Sequence, residues 1–249
     1  MMKYLQIALI ALVCFSCKKS NDPYPYTFHS IKNYDGTAVE ELAKYVKKND
    51  TIAIVEFLNN NPKVSIDTKD RYFGHSLLMF AIYNGKYESF HCLLNHGADP
   101  NLIGDYGKRT PLYFAATYCS SQYEQDSRYC KELLEKNADP NFGDIIHEAV
   151  ATEFEYVKLL IDYGADYNTK HYGCSPADDA IIQVQPEIAK FLIIEKKALL
   201  YNEPFWRSWD GIENSRFTTA KKEILNYLKE HPEQLMYNKA MKNIKDSIL

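Results

Sequence analysis

A five-residue phrase recurs along this chain. It reads GADPN at Gly97–Asn101, NADPN at Asn137–Asn141 and GADYN at Gly164–Asn168. A pair of branched aliphatics stands four residues ahead of each phrase: Leu93-Leu94, Leu133-Leu134 and Leu160-Ile161. The phrase returns after 40 and then 27 residues, close on average to the period of about 33 that marks stacked two-helix units. No such unit can bury its apolar faces alone, so the sequence demands an array in which each unit covers the next.

The units can be followed in order. Thr37-Ala38-Val39-Glu40 has the form of a capping box opening a helix to about Lys48, with Val39, Leu42 and Val46 on one side. Asp50 is the expected cap of a second helix carrying Ile54, Phe57 and Leu58, closed by Asn59–Pro62. In the next unit Ser76 is the expected N-cap, Gly85 separates two helices and Gly97 supplies a left-handed terminator. The third unit holds Thr110-Pro111-Leu112-Tyr113-Phe114-Ala115-Ala116. Thr caps the helix there and Pro sits at the first helical position, where its missing N–H is harmless. An insertion of about seven residues, Ser120–Ser127, separates its helices, and Asn137 replaces Gly as terminator. The fourth unit is short: only Phe142-Gly143-Asp144 precede the helix at Ile145, with Asp144 as its expected cap. The fifth has Gly173-Cys174-Ser175-Pro176-Ala177 and a second helix, Ile188–Glu195, that lacks a closing glycine.

These phrases resemble the ankyrin repeat. Gly74-His75-Ser76-Leu77-Leu78-Met79-Phe80-Ala81 aligns with that family's G-x-T-P-L-H-x-A, and the Thr110 and Ser175 phrases fall in the same register. The resemblance covers Thr37–Ala198, and Leu199–Glu230 more weakly. It implies an all-α fold: an ankyrin-repeat solenoid of stacked helix pairs with short β-hairpin fingers and capping helices. Residues 37–69 read as an N-terminal capping repeat, 70–198 as the ankyrin repeats, and 199–249 as a degenerate last repeat with capping helices. A helix is expected over Ala220–Glu230. Tyr237, Met241, Ile244 and Ile248 fall on one face of a final helix.

The N-terminus has a different character. Lys3 precedes an apolar run, Leu5–Phe15, of about 11 residues, the length of a signal-peptide core and too short to span a bilayer. Ser16 and Cys17 follow, then the polar Lys18–Asp22. This arrangement resembles a bacterial lipoprotein signal. It implies a signal peptide over 1–16, lipidation at Cys17 and a lipid-anchored tether over 17–36, with Pro23 and Pro25 extending Asn21–Asp35 as a spacer. The implied address is the bacterial cell envelope, the outer membrane facing the periplasm. No later apolar run approaches membrane-spanning length.

Catalytic patterns are missing from the sequence. It holds no G-x-S-x-G, no H-E-x-x-H, no C-x-x-C and no glycine-rich phosphate loop. The net charge of −4 without a basic block argues against nucleic acid as a partner. His91 and His96 are five apart and do not share a helical face, so no metal site is expected. Asp178-Asp179 reads as a solvated face, and Trp206 with Trp209 as core of the capping element. His147 occupies the TPLH histidine position, where the resemblance implies bracing of the hairpin. The expectation is a non-enzymatic protein with no cofactor, no small-molecule substrate and a monomeric state. Cys119 and Cys130 bracket the insertion. They either form a disulfide, as an exported location would permit, or Cys130 is a buried thiol at the position of Phe90. Cys92 and Cys174 are expected as free thiols.

The resemblance also implies where a partner binds. Ankyrin arrays contact proteins through their fingers and the ends of their first helices, on the concave face. Those positions here are Tyr72, Phe73, His75 and Tyr83; Tyr106, Lys108, Arg109, Thr117 and Tyr118; and His171, Tyr172 and Cys174. Their aromatic content suits an interface. The short fourth finger is expected to leave a notch between Arg109 and Tyr172. The implied function is a membrane-tethered binding module with a scaffolding, immunity or inhibitor role. The alternative is a structural envelope protein without a dedicated ligand.

Overall fold

Four of the five helix pairs end on one residue in the left-handed region, while the first ends at Asn61 with φ −125°. A computed structural model describes residues 27–107, 109–122, 126–202 and 215–236 of the chain. In it Gly97 (φ 88°), Asn137 (φ 64°) and Gly164 (φ 93°) take the terminator position, and Lys197 (φ 57°) takes it where the sequence lacks a glycine. The alanine after each terminator is buried and donates its N–H back into the helix: Ala98 to Leu93, Ala138 to Leu133 and Ala165 to Leu160. Ala198 reaches one residue further back, to Leu192 at 2.8 Å. The extra residue is taken up by a π turn over Phe191–Glu195, which continues the preceding helix.

The pairs are α1 (Glu40–Lys48) with α2 (Thr51–Asn60), α3 (Leu77–Tyr83) with α4 (Tyr87–Asn95), and α5 (Pro111–Gln122) with α6 (Arg128–Glu135). They continue as α7 (Ile145–Val150) with α8 (Phe154–Asp162) and α9 (Pro176–Ile182) with α10 (Pro186–Lys190). First helices α1, α3, α5, α7 and α9 pack in succession. Behind them α2 meets α4, α6 meets α8, and α8 meets α10, while Phe90 of α4 packs on Tyr129 of α6 with ring centroids 4.9 Å apart. Ala81, Ala115, Ala116, Ala149 and Ala180 are fully buried between first helices, where larger side chains would hold the backbones apart. Leu77 and Leu112 from first helices, and Leu93, Leu133, Leu160 and Leu192 from the second helices and the π turn, are fully buried in the core. Burying each contributes roughly 2 kcal/mol before entropy is counted. Among the described residues no helix is long and apolar enough to cross a membrane.

The caps follow the sequence in part. Asp50 accepts from Ala53 N, Ser76 from Met79 N, and Thr110 from Tyr113 N. Two expected caps are corrected. The Thr37 hydroxyl donates to Tyr34 O at 2.6 Å and Glu40 accepts from Gly36 N, so the reciprocal box at α1 does not form. The cause is a 3-10 turn over Ile31–Tyr34 that brings a nearer carbonyl to the hydroxyl. Asp144 sits at φ 53° without capping α7, because its carboxylate is turned toward His171.

The chain enters the fold earlier than the tether reading places it. Tyr34 is 1% exposed, and its hydroxyl donates to Ser76 O at 2.9 Å. Arg71 donates to Gly36 O at 2.6 Å and its N–H to Asn33 O. Tyr34, with the Asn33 and Gly36 carbonyls beside it, thus closes the first end of the stack.

At the other end Asn168 Oδ1 accepts from Leu199 N, and Leu199–Asn202 lies where a sixth finger would stand. Helix α11 (Ser215–Glu230) buries Ala220, Ile224 and Leu228 against α10. Leu200 exchanges backbone hydrogen bonds with Gln234 O and Met236 N, and Gln234 donates to Ile193 O and Ala198 O. The aromatic stretch Phe205–Trp209 and the expected helix through Tyr237, Met241, Ile244 and Ile248 lie outside the described residues.

The fingers differ from hairpins. Among the described residues there is no β-strand, and the fifth finger has a single antiparallel bridge, His171 with Cys174. The second finger shows why. The Asp70 carboxylate accepts from Tyr72 N, Phe73 N and His75 N at 2.7–2.8 Å, winding the tip around a side chain. Backbone groups that would pair as a ladder are thereby used in a turn.

Candidate protein-binding face

The finger face begins at Asp70. With its carboxylate fixing the second finger, Tyr72 projects outward and is 49% exposed, while His75 is turned inward and is 4% exposed. Phe73 O then accepts from both Asp105 N and Tyr106 N, locking the third finger to the second, and Lys69 pairs with Asp105 at 3.0 Å. Tyr106 is 58% exposed. The Arg109 guanidinium lies over the Tyr113 ring, 4.7 Å from its centroid. Tyr172, at the tip of the fifth finger, is 95% exposed and stands at φ 50°. Three tyrosines on three fingers therefore face solvent.

Other residues expected on this face are not so placed. His75 is a correction: its ring is enclosed, stacked on Phe73 at 5.6 Å and edge-on to Phe114 at 4.8 Å. Burial lowers its pKa to about 4, against smaller opposing influences from the Asp70 and Asp105 carboxylates. Phe73 and Tyr83 are half-buried, and part of what covers them comes from the N-terminal segment. The Phe28 ring sits 4.5 Å from Phe73 and 5.7 Å from Tyr83, and His29 lies 4.1 Å from Tyr83. Thr117 is half-buried, with its hydroxyl donating to Tyr113 O. Lys108 and the side chains of Tyr118 and Cys119 lie outside the described residues, so the Cys119–Cys130 pairing does too; Cys130 itself is buried on α6. Cys92 and Cys174 are free thiols. Burial first, then Asp179 and Asp178, pushes the Cys174 thiol up to about 11, far from the range of a reactive thiolate.

The notch expected at the short fourth finger is bridged. His171 Nδ1 lies 2.9 Å from the Asp144 carboxylate, tying the fifth finger to the stub of the fourth. Beneath it, His147 Nδ1 meets Asp179 Oδ2 at 2.6 Å and Nε2 meets the Thr169 hydroxyl at 3.0 Å. One tautomer satisfies both contacts: Nδ1–H donates to the carboxylate and Nε2 accepts from the hydroxyl. The order carboxylate, imidazole, hydroxyl is that of a nucleophilic relay. Here, however, the imidazole is 5% exposed and the hydroxyl belongs to the next finger, so the line fastens one repeat to another. That is the bracing role the TPLH position implied.

Asp178-Asp179 is the second correction, since neither carboxylate is a solvated face. Asp179 holds His147, and Asp178 is buried. Asp178 accepts from Ser175 N, the Ser175 hydroxyl, Tyr201 N and Asn202 N, so it both caps α9 and holds the turn after Leu200. It occupies the TPLH histidine position of its own unit and does the same work toward the following finger. The sequence carried one signal for this, Asp at the third helical position after Ser-Pro, which is the form of a capping box.

The comparisons agree with this architecture. The family model for ankyrin repeats (3 copies) matches residues 41–144 and 117–202. An ankyrin repeat protein of fowlpox virus (strain NVSL) is 34% identical over 131 residues, covering 49% of this chain and 28% of its own length. The chain thus spans less than a third of that relative. With the repeat model covering well over half of its residues, the chain belongs to the ankyrin-repeat family.

Proposed function

We propose that this protein is a lipid-anchored ankyrin module of the bacterial cell envelope that holds a protein partner on its finger face. Ankyrin repeats suggest a non-enzymatic protein-binding module. The single observation that carries the surface assignment is the row of exposed tyrosines, Tyr72, Tyr106 and Tyr172, one on each of three fingers. Large aromatic side chains with a polar tip supply contact area at low entropic cost, and they concentrate binding energy. Changing all three to Ala should leave the helix stack intact, since none belongs to a helix. Each hot spot lost should weaken partner binding by about 2 kcal/mol, roughly thirtyfold. If the triple variant, with unchanged circular dichroism, retains the wild-type partner at wild-type affinity, the face is wrongly assigned.

The envelope address rests on the sequence around Cys17: the short apolar run, Ser16 before the thiol and the polar stretch after it. Acylation there would anchor the module in a membrane, the outer membrane facing the periplasm in this proposal, and two or more chains hold stably where one does not. Cys17→Ser is expected to move the protein into the soluble fraction. A variant that stays with salt-washed membranes refutes the anchor without touching the binding assignment.

A further inference from the structure

Resting on the finger-face reading, we propose that Phe73, His75, Tyr83, Tyr106 and Phe114 form a pocket for one tyrosine side chain of the partner, and that Phe28 fills it in the free protein. The seat has the size and shape of one aromatic ring. Phe28 has its centroid 4.5 Å from Phe73, 5.1 Å from His75, 5.7 Å from Tyr83 and 5.9 Å from Tyr106, all in tilted or edge-on arrangements. Phe114 closes the floor, edge-on to His75 and to Tyr83. Aromatic pairs favour these geometries over face-to-face stacking.

The occupant leaves one group unsatisfied. His75 Nε2 is buried and has no hydrogen-bond partner. The ring's other nitrogen, Nδ1, lies 4.0 Å from the Asp70 carboxylate, beyond hydrogen-bond distance, so Nε2 can present either a lone pair or a proton. Phenylalanine has nothing to offer either form. A tyrosine hydroxyl both donates and accepts, and a buried polar atom gains more from a first partner than an exposed one. The seat therefore fits a tyrosine side chain better than it fits Phe28.

The present occupant is also lightly held. Residues 27–30 are joined to one another by Ser30 N to Thr27 O, and Asn33 Nδ2 donates to the same carbonyl. Their grip on the repeats is through the Phe28 ring and the His29 ring over Tyr83. The firm attachment begins at Tyr34, buried with its hydroxyl on Ser76 O. The segment ahead of Tyr34 can lift while Tyr34 keeps the end of the stack closed. The exposed Tyr72 and Tyr106 flank the seat, so a partner strand crossing the fingers would pass over it.

The test uses the full chain, with N-acetyl-tyrosinamide and N-acetyl-phenylalaninamide as probes and the ring signals of Tyr83 and Tyr106 followed by NMR. Phe28→Ala should bind the tyrosine probe about tenfold more tightly than the phenylalanine probe, the equivalent of one hydrogen bond. Wild type should bind both far more weakly. Phe28→Tyr should raise the melting temperature by giving Nε2 its partner in cis. A folded Phe28→Ala that binds neither probe overturns the pocket, and equal binding of the two probes overturns the role of His75. If Phe28→Ala does not fold, wild type titrated to tens of millimolar tyrosine probe must show the Tyr83 and Tyr106 shifts, and their absence overturns the proposal. Should Phe28→Ala capture the partner normally yet bind no probe, the pocket fails while the finger-face reading stands. Loss of capture in the triple tyrosine variant remains that reading's own separate test.

Discussion

The Asn101 side-chain amide clips the end of the next repeat: its Oδ1 accepts from Asp139 N at 2.7 Å and its Nδ2 donates to Asn137 O at 2.8 Å. Asn141 repeats the pair on Asp166 N and Gly164 O, and Asn168 Oδ1 accepts from Leu199 N. The final Asn of each phrase is thus a side-chain rivet between one unit's terminator turn and the next. This explains why the phrase is five residues long and why it ends on an amide, which donates and accepts at once. Asn101→Ala should lower stability by about 1–2 kcal/mol for two lost hydrogen bonds at the surface. Urea unfolding with an unchanged m-value would check it.

The first rivet is imperfect, which gives a stabilising prediction. Asp67 stands where the Asn should be. Its Oδ1 accepts from Asp99 N at 2.9 Å, but a carboxylate has no donor for Gly97 O. Burial, and after it the Asp99 charge, raises the Asp67 pKa, while the Asp99 N–H opposes them. A carboxyl raised in the folded state is penalised when ionised, so its cost is present at neutral pH and fades as pH falls through the folded value. Asp67→Asn should therefore stabilise at pH 7 by about 1 kcal/mol, with a smaller gain near pH 3. A variant no more stable than wild type at pH 7 contradicts the register.

Much of this architecture was legible because it is local. Gly97, Asn137, Thr110-Pro111 and Ser175-Pro176 announce themselves within four residues of what they bond. The departures are long-range. Phe28 lies in a segment with no helical period, and its neighbours Phe73 and Tyr106 are remote in sequence. Asp178 and Asp179 look like a solvated pair until Tyr201, Asn202 and His147 are brought to them. The Thr37–Glu40 phrase has the residues of a capping box, but a turn three residues earlier offers the hydroxyl a better carbonyl. Periodicity locates faces; it does not say which distant segment will lie on them.

Asp178 tests whether the degenerate sixth unit is held as the others are. Four donors converge on its buried carboxylate, two of them N–H groups of Tyr201 and Asn202. Asp178→Ala leaves these donors without an acceptor, and each buried orphan costs about 1–3 kcal/mol. The expected loss is about 3 kcal/mol or more. Hydrogen exchange should increase at Tyr201 and Asn202 ahead of the rest of the array. Protection unchanged there would show that the sixth finger stands without Asp178. Asp178→Asn keeps one acceptor oxygen and should fall between wild type and the Ala variant.

His75 gives the chain a pH dependence whose sign is fixed by burial. Its folded pKa is about 4, against an ordinary value of 6.5. Between those values the unfolded chain binds a proton that the folded chain refuses, so stability rises with pH there and is fully present above about 6.5. It is lost as pH falls toward the folded value. The Asp70 and Asp105 carboxylates favour the proton and Arg109 opposes it, but desolvation of the ring outweighs them. One pKa unit corresponds to about 1.4 kcal/mol, so the full window carries roughly 3 kcal/mol. His75→Gln removes this dependence while keeping a polar side chain. It also leaves in place His29, whose pKa burial lowers as well, and the pairs His147–Asp179 and His171–Asp144. The difference in unfolding free energy between wild type and His75→Gln should therefore move against wild type by about 2 kcal/mol between pH 7 and pH 5. Urea titrations of the two proteins at pH 7, 6 and 5 measure it. A difference that stays constant across that range would mean the ring takes up its proton in the folded state as readily as in the unfolded chain, and the enclosure by Phe73, Phe114 and Phe28 would then not be what sets its charge.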